Sequence, residues 1–156
     1  MTEEQAFAKA LKTIKDGDHH SLRVLLIQYP TLARLRDKTN ATLLLKLFEL
    51  PDGAQNNAKL ARVLLVAGSQ VNAQRNRQSP VPIFSALQSE KLDVVQTLLE
   101  FGANLRIPMQ PRKGTVLDYA IELCKEKEDD PDFTTHLSKL IQAYTGGELS
   151  GFSSRA

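Results

Sequence analysis

The sequence predicts an all-α protein built from stacked pairs of helices, and two similar stretches of the chain carry that prediction. The first is an apolar helical run that ends at Gly102, a residue type that can adopt the left-handed conformation that stops a helix. Its apolar positions follow a helical spacing: Leu92, Val95, Leu98 and Leu99. The second stretch lies 34 residues upstream and ends in the same way at Gly68. Self-similarity at a period of about 33 residues indicates a repeat array.

The first helix pair is predicted over residues 4–36. Residues 4–15 have apolar side chains at helical spacing, and Asp16-Gly17-Asp18 is expected to break that helix. A second helix follows through Leu22, Leu25 and Leu26. It is expected to end at Tyr29-Pro30, because proline cannot continue a helix.

The second pair is predicted over residues 37–75 and opens with a turn at residues 37–42. Asn40 in that turn is a residue type that tolerates the left-handed backbone conformation. Residues 50–57 form an enlarged turn between the two helices, which accounts for an insertion of about five residues relative to the next repeat. Such an insertion costs little, because loop-closure entropy grows slowly with length.

The third and fourth pairs are predicted over residues 76–109 and 110–145. Pro82 stands at the first turn of a helix, where proline is tolerated. The last helix is predicted from Phe133 to Tyr144, after a charged segment at residues 125–132. Residues 146–156 are rich in glycine and serine and are predicted to form a flexible tail.

These patterns resemble the ankyrin-repeat family over about residues 4–145. Asp37, Thr42 and Leu44 match the Asp-x-x-Gly-x-Thr-Pro-Leu-His pattern of that family, with Asn40 in place of its glycine. The resemblance implies one domain over residues 1–145, an ankyrin-repeat solenoid of helix-turn-helix pairs with short hairpin loops. It further implies that the hairpin tips and the concave face bind a partner protein.

Composition restricts the possible classes of protein. The 156 residues are 42% hydrophobic with a net charge of +2, which is ordinary for a globular domain. No apolar run is long enough to span a membrane, and no N-terminal secretory signal is visible. The single cysteine excludes an internal disulfide. We therefore expect a cytoplasmic monomer, with signal-independent secretion left open.

Three features could suggest chemistry, and each has a plainer interpretation. Cys124 and His136 could form a nucleophile and its base, yet no oxyanion-hole motif accompanies them, and a buried apolar cysteine explains the position. His19 and His20 are adjacent in a helix and point in different directions, with no third metal ligand nearby. The acidic residues 129–132 lack the glycine and distal glutamate of a calcium-binding EF-hand loop. We expect no catalytic residue, cofactor or metal site.

Basic residues concentrate in the three connections between repeats, at residues 33–41, 71–79 and 103–114. These connections contain eight basic residues and one acid, Asp37, so they carry +7 in a chain whose net charge is +2. Such segregation suggests a basic rim that docks an acidic partner protein. The predicted partner-binding residues combine this rim with the variable positions of the family: Arg36, Lys38, Thr39, Glu49, Arg75, Arg77, Gln78, Gln88, Arg112, Lys113 and Glu122.

Two other functions stay open at this point. The same rim could bind nucleic acid or an anionic surface, although its loops interleave no aromatic residues for base stacking. The chain could also be a regulatory or catalytic subunit built on the repeat scaffold. The docking hypothesis requires Arg75, Arg77 and Arg112 to be largely exposed, to face one side and to be free of internal ion pairs.

Overall fold

The structure is a computed structural model that describes residues 2–50, 56–108 and 113–145. Within these three ranges the protein forms eight α-helices and no β-strand, which confirms the predicted all-α class. Contacts divide the chain into two compact units, residues 1–104 and 105–156. The predicted flexible tail lies outside the described residues, as does most of the enlarged turn at residues 50–57.

Six α-helices lie in the described part of the first unit. Their bounds are α1 Glu3–Lys15, α2 His19–Gln28, α3 Leu43–Leu47, α4 Asn57–Val66, α5 Pro82–Gln88 and α6 Leu92–Glu100. The predicted turn at Tyr29-Pro30 is a 3₁₀ helix over Pro30–Arg34. Proline starts this short helix as well as ending α2, because its fixed φ angle suits a first helical position.

The helices of the first unit pack within pairs and between successive pairs. Successive helices pack as pairs, α1 with α2, α3 with α4 and α5 with α6. The second helices also pack on one another in order, α2 on α4 and α4 on α6, while α1 packs on α3. Neighbouring pairs in the first unit are therefore in contact chiefly through their second helices.

Local side-chain chemistry sets the helix ends. Thr2 and Gln5 form a reciprocal capping box at the start of α1, and Thr42 accepts a hydrogen bond from the Leu45 N–H of α3 at 3.3 Å. Gly68 and Gly102 stop α4 and α6 with φ angles of +108° and +90°. The predicted role of these two glycines is confirmed.

The core of the first unit consists of the residues that the helical spacing selects. Leu98 is fully buried, and its neighbours on α6 at helical spacing are 9% exposed or less. α3 is only five residues long, but four of those five are buried leucines: Leu43, Leu44, Leu45 and Leu47. Packing holds α3 in place, because a helix this short is not stable alone.

The second unit contains α7 over Val116–Glu126 and α8 over Pro131–Thr145, which pack on each other. Thr115 and Asp118 cap α7 reciprocally, through Thr115 N–H to Asp118 Oδ2 at 2.9 Å and Asp118 N–H to Thr115 Oγ1 at 3.3 Å. α8 begins two residues before the predicted start at Phe133, because Pro131 is accommodated in its first turn. The stacking of this pair on the third repeat stays a prediction.

Candidate protein-binding surface

Asp37 organises the first connection, residues 33–41. Its Oδ1 atom accepts hydrogen bonds from the Thr39 N–H at 2.8 Å, the Thr39 hydroxyl at 2.6 Å and the Ala41 N–H at 3.1 Å, while its Oδ2 lies 3.3 Å from Lys46 Nζ. Burial alone would raise the pKa of Asp37, but these hydrogen bonds outweigh it and hold the pKa far below its usual value. Asn40 closes the turn with a φ angle of +64°, as predicted.

Arg36 joins the first connection to the second. Its Nη1 atom donates to the carbonyl oxygens of Asn40 at 2.7 Å and Gln74 at 2.9 Å. Beside it, Asn40 Nδ2 donates to the carbonyl of Arg75 at 2.5 Å. The guanidinium of Arg36 therefore holds two loops together, and its hydrogen bonds are made within the chain.

A second set of bonds joins residues that follow the first helix pair to residues that follow the second. Arg34 Nε donates to the carbonyl of Gly68 at 3.1 Å, and the buried Ser69 hydroxyl donates to the carbonyl of Ala33 at 2.9 Å. The partners in these bonds are 34 and 36 residues apart, which is close to the period of the sequence. The connections at 33–41 and 71–79 are consequently held in a fixed relation.

Arg75 does not meet the requirement of the docking hypothesis. Its side chain is 32% exposed and its Nη2 atom pairs with Oε1 of Glu49, whose other oxygen lies 3.4 Å from Lys46 Nζ. We expected Arg75 to be largely exposed and free of internal ion pairs, and both expectations are wrong. The end of α3 places Glu49 against the second connection, a juxtaposition that sequence spacing does not reveal.

Lys38 and Arg77 are the cations that these two connections leave available. Both are exposed, and neither forms a hydrogen bond or ion pair with another described residue. Gln78 and Gln88 are also exposed, and the Gln78 N–H donates to Asn76 Oδ1 at 2.8 Å in a local turn. Thr39 is exposed but uses its hydroxyl to support Asp37.

The remaining predicted residues belong to the third connection and the second unit. Lys113 is exposed beside Gly114, and Glu122 is exposed on α7. Hydrogen bonds from the Leu117 N–H to the Leu105 carbonyl at 2.7 Å and from Val116 to Ile107 at 3.0 Å anchor the start of α7. Arg112 lies outside the described residues, so its part of the rim hypothesis stays a prediction.

Cys124 is in the environment of a structural thiol. It is 3% exposed, and its Sγ atom lies 3.8 Å from Ser138 Oγ on α8. Burial raises the pKa of the Cys124 thiol above its usual value, so the nucleophilic thiolate is scarce at neutral pH. His136 is on an exposed position of α8.

The two adjacent histidines of α2 are the next residues with a possible chemical role. The rings of His19 and His20 lie 4.2 Å apart between centroids. No group of three or more potential metal ligands occurs among the residues whose positions are described. None of the helices in those parts of the chain is long and apolar enough to cross a bilayer.

Comparison with known proteins adds no assignment. No model of a known protein family matches the chain, and no curated protein is significantly similar to it. The case for any function therefore depends on the surfaces themselves.

Sequence reasoning missed a second surface, on the outer helices of the first unit. Three large apolar residues are exposed there: Val24 at 54%, and Ile27 and Val66 at 72% each. A signal for them is present in the sequence, because Val24 and Ile27 fall outside the buried stripe of α2. A single exposed apolar residue is common, but a cluster of them on neighbouring helices indicates a candidate interaction surface.

Proposed function

We propose that this protein is a non-catalytic interaction module of the ankyrin-repeat kind, which binds an acidic partner protein through the connections between its repeats. The partner lies against Lys38 and Arg77, with Thr39, Gln78 and Gln88 as neutral contacts. This site is smaller than the eleven residues that charge and family pattern suggest. Arg36, Glu49 and Arg75 support the surface and hold its shape.

The observation that carries the proposal is the rigid link between the two connections. Arg36 and Asn40 of the first connection donate to carbonyls of Gln74 and Arg75 in the second, at 2.5–2.9 Å. Loops that are already ordered lose little entropy on binding, so more of the contact energy appears as affinity. Hydrogen bonds also join residues that are 34 and 36 positions apart, which is close to the period of the sequence. These bonds support the ankyrin-like solenoid as well as the ordered surface.

The positive charge of this surface favours an acidic partner. Lys38 and Arg77 extend into solvent from neighbouring connections, whereas the one acid of these loops, Asp37, is occupied by Thr39, Ala41 and Lys46. A complementary acidic surface would be attracted over roughly one Debye length, about 8 Å at physiological ionic strength. That attraction raises the association rate more than the final affinity.

The test is an affinity pull-down analysed by mass spectrometry, followed by association kinetics with the recovered protein. We expect Lys38→Glu/Arg77→Glu to slow association by about 10-fold or more at low salt and to reduce the dependence on ionic strength. The matched control is Lys125→Glu/Lys139→Glu, which changes the net charge equally at exposed positions of α7 and α8.

Two results would contradict the proposed function. The first is equal binding of the recovered partner by the parent and by Lys38→Glu/Arg77→Glu at low salt. The second is a mobility shift of nucleic acid that the same double variant abolishes, which would assign the connections to nucleic acid instead. Circular dichroism of both variants shows whether folding is intact.

A further inference from the structure

The outer surface of the first unit contains an open groove between α2 and α4, with a volume of about 650 Å³. The two helices run in the same direction. At their N-terminal ends Asn56 Nδ2 donates to the carbonyl of Gly17 at 2.9 Å, and beyond their C-terminal ends Arg34 bonds to the carbonyl of Gly68. Like ends of the two helices therefore lie together, so the groove has distinct N-terminal and C-terminal ends.

The C-terminal end of the groove is apolar. Its lining comes from the last turns of both helices and the residues that follow them: Leu26, Ile27, Pro30, Val63, Val66 and Ala67. Ile27 and Val66 are each 72% exposed. Most of the other large apolar side chains of these two helices are buried. Contiguous exposed apolar side chains with a polar border are typical of an interaction site.

The N-terminal half of the same groove is basic. Arg23 and Lys59 line it, are exposed, and form no hydrogen bond or ion pair with another described residue. Desolvation and the nearby charges of His20, Lys59 and Arg23 lower the pKa of His19, which lines the groove beside them. No acidic residue is among the described residues that line the groove.

Arg62 forms part of the wall and does not add a free charge. Its Nη2 atom lies 2.5 Å from Oε2 of Glu100 on α6, and its guanidinium carbon lies 5.8 Å from the centroid of the Phe101 ring. These contacts engage the guanidinium within the chain. Arg23 and Lys59 are consequently the two cations that an occupant of the groove can neutralise.

We propose that this groove binds a short amphipathic helix of a partner protein, with acidic residues at one end and apolar residues at the other. Four residues separate Arg23 from Ile27 on α2 and seven separate Lys59 from Val66 on α4, which is about 6 to 10 Å along the helix axes. The acidic and apolar residues of the occupant must therefore be about one to two helical turns apart. This surface is separate from the connections that the proposed function uses.

The openness of the groove favours a helix over a single acyl chain. Ile27 and Val66 project from opposite walls and are both largely exposed. An acyl chain lying on the floor would leave most of these two side chains in water. A helix about 10 Å wide can contact both walls at once, with anchors spaced at i, i+3, i+4 and i+7.

The experiment uses the full chain and a synthetic, fluorescein-labelled helical peptide as the probe. The peptide carries leucines at i, i+3, i+4 and i+7 and two glutamates placed about one and two turns beyond them. A second peptide has lysines in place of the glutamates, and a third has the first composition in scrambled order. We expect fluorescence anisotropy to show saturable binding of the glutamate peptide and at least about 10-fold weaker binding of the other two.

Matched variants locate the binding. Ile27→Ser/Val66→Ser should weaken the glutamate peptide by about 10-fold or more, whereas Val24→Ser, on the same helix and outside the groove, should change it less than about twofold. Arg23→Glu/Lys59→Glu should also weaken it, and Lys9→Glu/Lys12→Glu on α1 controls for net charge. Circular dichroism establishes that each variant is folded.

Several outcomes would overturn the inference. One is the absence of saturable binding by the glutamate peptide up to about 1 mM. Others are equal effects of Val24→Ser and the groove variant, or equal affinity for the lysine peptide. Dodecanoate binding that Ile27→Ser/Val66→Ser removes, without any peptide binding, would assign the groove to an acyl chain. Dimerisation in sedimentation experiments that the same variant abolishes would assign it to a second copy of this chain.

Discussion

The connections between the helix pairs engage several of their basic side chains within the chain, whereas the groove between α2 and α4 leaves two of its three Lys and Arg side chains exposed and unengaged. On the connections, Arg34 and Arg36 donate to backbone carbonyls and Arg75 pairs with Glu49. In the groove, Arg23 and Lys59 remain exposed and have no such partner among the described residues. The stretch of sequence with the higher positive charge is therefore the one in which more of that charge is used internally.

The difference has a physical cause in the backbone. A loop presents carbonyl oxygens that no helix or sheet satisfies, and a guanidinium with five N–H donors can satisfy several at once. Along a helix the carbonyls are already bonded to amides four residues on, so a cation on its surface finds only solvent or side chains. A cation in a loop can therefore stabilise the fold through backbone carbonyls, whereas a helical cation is engaged only where an acidic or aromatic side chain lies near it, as for Arg62.

The largest expected effect concerns the packed layer of α2, α4 and α6, on which both surfaces depend. Leu98 is fully buried in α6, and Leu98→Ala should reduce the free energy of unfolding by about 2–5 kcal/mol through loss of contacts and a residual cavity. Val66→Ala is the control, because a side chain that is 72% exposed should change stability by no more than about 0.5 kcal/mol. Urea unfolding measures both. Equal losses of unfolding free energy in the two variants would mean that the buried contacts of Leu98 do not stabilise this layer.

The next prediction compares Arg36, whose hydrogen bonds stabilise the fold, with Lys38, which is exposed. Arg36→Ala removes hydrogen bonds to the carbonyls of Asn40 and Gln74 and should destabilise the protein by about 1.5–3 kcal/mol. Lys38→Ala, two residues away and exposed, should stay within about 0.5 kcal/mol. Urea unfolding at neutral pH gives both values. If the two variants lose the same unfolding free energy, the hydrogen bonds of Arg36 do not distinguish it from the exposed Lys38 at this connection.

The helices could be predicted because their signals are local. Helical spacing, Gly68, Gly102 and Pro82 each act within one turn of the chain, and the structure places helix ends at or near them. The exceptions are residues 30–34, a 3₁₀ helix in place of a turn, and α8, which starts at Pro131. Both involve a proline that begins a helical turn, which residue type alone does not distinguish from a proline that ends one.

The binding surface could be predicted only in part, because ion pairs join residues that are distant in sequence. Charge counting located Lys38 and Arg77, but it counted Arg36 and Arg75 as equally available. The pairing of Arg75 with Glu49 depends on how α3 meets the second connection. The groove was missed because it forms between helices of different repeats, and no single helix carries both of its walls.

The third prediction concerns the effect of low pH on the turn at Asp37. The pKa of Asp37 in the folded protein is lower than its value of about 3.9 in an unfolded chain. Its stabilisation is therefore fully present above about pH 4 and is lost as the pH falls towards the folded pKa. The gap in unfolding free energy between the parent and Asp37→Asn should be constant from about pH 5 to 7 and shrink below pH 4. A gap that does not vary with pH would show that the charge of Asp37 is unimportant to the turn.

The smallest effect tests Arg75 and Arg77, which are two residues apart on the same connection. Arg75 pairs with Glu49 at positions that are 32% and 43% exposed, so solvent screens the pair. A double-mutant cycle of Arg75→Ala and Glu49→Ala should therefore give a coupling energy of about 0.2–1 kcal/mol, reduced in 1 M salt. The parallel cycle of Arg77→Ala and Glu49→Ala should give about zero, because Arg77 pairs with no described residue. Measurable coupling in the second cycle, or none in the first, would exchange the roles of the two arginines. It would then make Arg75 the cation that faces a partner.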